Sequence, residues 1–157
     1  MRRSFLAAIV CALCTASVAL SADYPQRIVS LSPDLTEILY GVGAFSRVVA
    51  VSNFDTYPPE VARLPRLGTL DTLSFERLAA AKPDLVLMNS VQAPFLEQPL
   101  RDLGLRIFKT SNQSIQQTLA TIAAIGQLTG HEREAAALVA DWNIDSASLL
   151  NASRTCS

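Results

Sequence analysis

Reactive side chains are scarce in this 157-residue chain, which has one histidine and three cysteines. The histidine, His131, stands beside Gly130 at a helix boundary with no neighbouring ligands, so a capping or surface role accounts for it and a metal role does not. Cys11 and Cys14 form a C-x-x-C inside an N-terminal apolar run, which argues against redox or metal chemistry. Cys156 is left alone, and a lone cysteine closes no internal disulfide, so the fold must rest on its core. Glycine is sparse as well, and neither G-x-G-x-x-G nor a P-loop occurs, which removes the usual phosphate cradles. G-x-S-x-G and H-E-x-x-H are also missing. Basic charge is not in excess: 13 Lys and Arg stand against 14 Asp and Glu. That balance disfavours a nucleic-acid partner.

The N-terminus reads as an export signal. Arg2-Arg3 precede the apolar run Phe5 to Leu20, and small residues follow at Ser21-Ala22. Residues 1–22 are therefore expected to be a signal peptide and the mature protein to lie in the periplasm. The run is short for a membrane anchor, and no second run of that length follows.

From Asp23 onward, strands alternate with helices. Ile28–Leu31, Val48–Val51, Leu85–Met88 and Arg106–Phe108 are short, almost wholly apolar runs, as buried strands require. Helical patterns follow them at Leu35–Val42, Leu73–Ala81, Pro94–Leu103 and Ser114–Leu128, with a shorter helix opening at Pro58-Pro59-Glu60. Ser32 reads as an N-cap, with Pro33 at the first helical position and Asp34 in the first turn. A further helix is expected from Glu132 to about Leu150. The fold class is thus α/β, a Rossmann-like parallel sheet flanked by helices.

Ligands in such folds sit beyond the carboxyl ends of the strands. The loops there are Ser32-Pro33-Asp34, Asn53 to Tyr57, Asn89 to Gln92 and Thr110-Ser111-Asn112, a polar and aromatic rim without an acid–base pair. Ser32 as the nucleophile of a periplasmic hydrolase has no base near it in sequence. Asp34, Asp55 and Asp71 match no compact oxygen-ligand loop, and helix-dipole and turn chemistry explain them. No metal site and no catalytic residue are expected.

Three segments in order, "RIVSLSPDLTEILYGVG", "VVAVSNFDTYPPEV" and "LPRLGTLDTLSFERLAAAKPDLVLM", resemble the first lobe of the class III periplasmic substrate-binding proteins. Those proteins serve ABC importers of cobalamin, haem and ferric siderophores, and the cobalamin binders look most alike. The resemblance implies two α/β lobes joined by a long backbone helix, with the ligand in a shallow cleft between them. It places residues 23–130 in the N-terminal lobe and 131–157 at the start of the backbone helix. Ser32, Pro33, Phe54, Asp55, Leu70, Asp71 and Asn89 become the cleft-facing candidates. Phe54 stands where cobalamin binders place an aromatic, whereas Leu70 stands where an aromatic is often found. Glu76, in Phe75-Glu76-Arg77, matches the glutamate that docks onto arginines of the permease.

The rim's charges bear on the ligand. Anionic ferric siderophores call for Arg or Lys in the cleft, and only Lys109 is near. Haem calls for a Tyr or His ligand, which Tyr57 could supply. A largely neutral corrinoid such as cobalamin is the first expectation, with haem or a ferric siderophore as alternatives. The resemblance further implies a second lobe that this chain does not reach. One wall of a cleft binds far more weakly than two. The final helix is then expected to leave Leu138, Val139, Trp142, Leu149 and Leu150 uncovered, so a monomer is expected with self-association possible through that patch. A non-functional fragment or an interaction module is therefore the remaining reading.

Overall fold

The computed structural model describes residues 24–142. The expected signal peptide, Cys156, and Leu149 and Leu150 lie outside the described residues. Four parallel strands, β1 (Ile28–Ser30), β2 (Val48–Val51), β3 (Leu85–Asn89) and β4 (Ile107–Thr110), form one sheet in the order β2-β1-β3-β4. The helices are α1 (Pro33–Gly41), α2 (Phe75–Ala81), α3 (Ala93–Asp102) and α4 (Ile115–Thr129), and residues 132–142 are helical too.

β1, β2 and β3 are almost wholly apolar because helices cover both faces of the sheet, whereas the edge strand β4 carries the exposed Lys109. Ile28, Leu85 and Leu87 pack with Leu35 and Leu39 of α1 and with Ile122 and Ile125 of α4. Their neighbours in sequence, Val29, Val86 and Met88, point the other way, onto Leu78 of α2 and Leu96 and Leu100 of α3. Two cores back to back on one sheet are what a period of two with no polar face demands.

Capping follows the expected chemistry at two helices. The Ser74 hydroxyl accepts the backbone N–H of Arg77 to open α2, and Ser114 accepts that of Gln117 to open α4. Gly130, in the left-handed region at φ 72°, closes α4. Ser32 departs from expectation. Its carbonyl accepts the first bonds of α1, from Leu35 and Thr36, but its hydroxyl makes no cap bond and turns across the sheet end instead. The expected helix after Pro58 is only a 3-10 turn, Pro59–Arg63. The helix expected from Leu73 begins at Phe75, because residues 69–72 close a turn of their own through Thr69 and Thr72.

The expectation of an uncovered final helix is corrected in part. Leu138 and Val139 pack against the α1–α4 core, so they complete this lobe's own interior. Trp142 stays 41% exposed.

Candidate functional site

The strand order fixes where a crevice must open. From β1 the chain moves through α1 to β2 on one side, and from β3 it moves through α3 to β4 on the other. α1 and α3 also lie on opposite faces. The connections therefore diverge beyond the carboxyl ends of β1 and β3, at a topological switch point. Ser32 and Asn89 stand at those two ends, and the Asn89 side-chain amide donates to the Ser32 hydroxyl across the gap at 3.2 Å.

That bond belongs to a larger polar hub. The Ser32 hydroxyl donates to the Asp34 carboxylate, whose other oxygen accepts from the amide of Asn112, beyond β4. The Asn112 carbonyl oxygen in turn accepts from the Thr121 hydroxyl on α4 at 2.8 Å. Gln92 ties the β3 loop to the β1 loop by donating to the Leu31 carbonyl at 2.7 Å. Partly buried hydroxyls and amides are thus paired with one another, which holds three loops in one arrangement. Ser32 finds a carboxylate but no imidazole. His131 sits against Gly43, beyond the other end of α1, and nine helical residues span about 13 Å.

Around this hub the rim is apolar. Phe54 is 67% exposed, Val91 and Phe95 are 64% exposed, and Tyr57, Phe75 and Ile115 are also open to solvent. All six lie in the loops after the strands or in the first turns of α2, α3 and α4, but the Tyr57 ring turns down the side of the lobe onto Tyr40 in the last turn of α1, so the other five mark the end of the sheet.

The loop that carries Phe54 is braced from below. Ser52 accepts the Phe54 N–H at 3.2 Å and donates its hydroxyl to the Asp55 carboxylate. Arg66 clamps the carbonyls of Ser52 and Asp55 at 2.9 and 2.6 Å. Asn53 and Gly68 exchange two further bonds, at 2.9 and 3.1 Å.

The candidates divide accordingly. Ser32 and Asn89 meet in the hub, and Pro33 is half-buried beside them at the start of α1. Phe54 is presented on the rim and Asp71 is exposed, whereas Leu70 packs partly against the α2–α3 core. Asp55 is corrected: it is 1% exposed, with one carboxylate oxygen on Ser52 and the other buried, so it supports the rim from beneath and does not face the cleft. Glu76 is exposed in the first turn of α2, at the rim end of the sheet. Asn112, Gln92 and Thr121 were not among the candidates. An amide two or three residues past the end of each of β3 and β4 is the signal that marks two of them.

Lys109 is not a free rim cation. Its ammonium pairs with Glu97 at 2.9 Å, and Arg101 approaches the same carboxylate at 2.7 Å. Arg101 first, then Lys109, hold the Glu97 carboxyl below its ordinary value. Among the described residues no three His, Cys, Asp or Glu side chains are grouped to hold a metal ion.

The lobe is doubly wound, with an apolar rim over a polar switch point. Residues 28–149 match the model of the family described as periplasmic binding protein, and the chain belongs to that family. An uncharacterised ABC transporter substrate-binding lipoprotein of Bacillus subtilis, YvrC, is 34% identical over 138 residues, 85% of this chain and 43% of that protein. A vitamin B12-binding protein of Pectobacterium carotovorum is 32% identical over 133 residues, 83% of this chain and 46% of its own length. The solved structure of the periplasmic haem-binding protein HutB of Vibrio cholerae superposes with a TM-score of 0.71 at 27% identity, over 80% of this chain and 49% of that one. The chain spans about half the length of the relatives it matches. The family consists of solute-binding proteins and not enzymes, which sets aside the hydrolase reading of Ser32.

Proposed function

We propose that this chain supplies a ligand-binding lobe to the substrate-binding component of an ABC importer, exported to the periplasm, and that its ligand is a corrinoid such as cobalamin. The observation that carries the reading is the rim itself. Exposed aromatic and aliphatic side chains ring a hub of amides and hydroxyls, and Lys109 after β4 is tied to Glu97 while Arg66 is spent on the carbonyls of Ser52 and Asp55. A large neutral chelate with apolar edges and peripheral amides suits that surface. Haem propionates or the carboxylates of a ferric siderophore would meet Asp34 and Asp71, with Arg66 already bonded to the carbonyls of its own loop. Similarity to the vitamin B12-binding protein supports the choice, and similarity to the haem-binding structure keeps haem as the second reading, with Tyr57 as the available axial ligand.

Equilibrium dialysis with cyanocobalamin, haemin and a ferric siderophore separates these ligands. Cyanocobalamin is expected to be retained in preference, and Phe54→Ala to weaken its retention at least fivefold. Preferred retention of haemin, with a Soret shift that Tyr57→Phe abolishes, would replace the corrinoid by haem.

The permease contact is proposed at Glu76. Its position at the rim end leaves the carboxylate free to meet a basic patch, and such complementarity sets orientation and encounter. Glu76→Arg is expected to lower capture by the cognate permease at least tenfold. Glu134→Arg, on an exposed residue beyond Gly130 at the opposite end, is expected to leave capture unchanged. Equal losses in both variants would point to general charge rather than docking.

A further inference from the structure

We propose that the groove between α1, α4 and helical residues 132–142 binds an organic cation, an ammonium carrying a small apolar body. This goes beyond the corrinoid reading: the groove adjoins the hub through Asp34 and Asn112 but runs down the side of the lobe, away from Phe54 and Asn89. The groove encloses about 580 Å³, within the range of small-molecule sites. Ile38, Ile122 and Leu138 give it an aliphatic floor, and Tyr40, Tyr57 and Trp142 supply aromatic walls. Tyr40 and Tyr57 meet edge to face with ring centroids 5.5 Å apart and planes at 82°, which makes a right-angled aromatic corner. Tyr40 also meets Phe45 edge to face at 5.8 Å, and both tyrosine rings remain partly open to solvent.

The charges in the groove are of one sign. Asp34 and Glu37, one turn apart on α1, line it, and among the described residues no Lys, Arg or His does. Asp34 is occupied by Ser32 and Asn112. Glu37 is exposed, and among the described residues the ion pairs all fall on Glu97. An ammonium seated in the corner would face the negative ring surfaces and reach the Glu37 carboxylate, while its apolar body covered the floor. An anion would meet repulsion with no compensation. A neutral molecule of the same shape would gain the floor alone, so charge is what the groove discriminates.

Trp142 is the only tryptophan in the chain and lines the groove, so its emission reports occupancy. The full chain is titrated with choline and with 3,3-dimethylbutan-1-ol, its uncharged isostere. Choline is expected to change the emission saturably, and the isostere to bind at least tenfold more weakly. Glu37→Gln, on an exposed side chain, is expected to reduce choline affinity about three- to tenfold while cyanocobalamin retention stays at the parent level. Equal responses to the two compounds, no response to either, or indifference to Glu37→Gln would overturn the proposal. So would a species of doubled mass in which Trp142 already emits as a buried indole, because a second copy would then fill the groove. Failure of cyanocobalamin to bind leaves the choline result standing, so the two readings fail separately.

Discussion

Gly68→Ala is expected to cost about 2–4 kcal/mol of folding stability, well above the loss from a typical exposed substitution. Gly68 adopts φ +114°, a region that side chains with a Cβ rarely enter. Space is lacking as well. A Cβ at this position would overlap the Thr72 carbonyl oxygen and lie 2.7 Å from its carbonyl carbon, both of them backbone atoms that cannot swing away. Gly104 provides the comparison within the same chain. It too has a positive φ, +71°, but a Cβ there meets nothing within 4 Å. Gly104→Ala therefore carries only the conformational penalty, about 1 kcal/mol. Urea unfolding of the two variants beside the parent separates steric overlap from backbone preference. Equal losses at both positions would mean that the turn after Leu67 relaxes freely. The effect reaches the rim because Gly68 exchanges its two backbone bonds with Asn53, next to Phe54. A displaced Gly68 should therefore weaken ligand retention more than the stability loss alone would.

Much of this lobe is legible in sequence because its strands are buried on both faces. Runs such as Leu85-Val86-Leu87-Met88 need no partner information to be recognised, and Gly130 and the two capping serines mark helix ends by local chemistry. The rim loops follow from the same pattern, since the ligand end of a parallel sheet is set by strand direction. What does not follow is how side chains pair across the rim. Asn112 and Asp34 are 78 residues apart, and no local pattern announces their bond. The Ser32 hydroxyl could cap α1 or turn to Asp34 and accept from Asn89 across the sheet end, and the second depends on β3 lying beside β1. Asp55 has the composition of a solvated turn, yet the returning segment with Arg66 seals it from solvent. Leu138 and Val139 look like surplus apolar surface until α1 and α4 are placed beneath them. In each case local chemistry offered two outcomes, and a contact distant in sequence selected one.

The hub invites a double-mutant cycle on Asp34 and Asn112. Asp34→Ala removes the acceptor for both the Ser32 hydroxyl and the Asn112 amide, and leaves partly buried donors unpaired. It also deletes the carboxylate from the first turn of α1, where the helix dipole favours negative charge. A loss of about 2–3 kcal/mol is expected. Asn112→Ala strips one Asp34 oxygen of its donor and the Thr121 hydroxyl of its acceptor, for about 1–2 kcal/mol. Because the two residues share one bond, the double variant should lose less than the sum, with a coupling of about 1–2 kcal/mol. Additivity within about 0.5 kcal/mol would instead show that each side chain is held by its other partners and that the β1 and β4 loops are independent. The distinction matters for binding. Coupled loops present Ser32, Asn89 and Asn112 to a ligand as one pre-set surface, so ordering them costs nothing at the moment of contact. Independent loops would have to be ordered by the ligand itself. Ligand retention measured on the same variants should then track the coupling, falling further in either single variant than its stability loss requires.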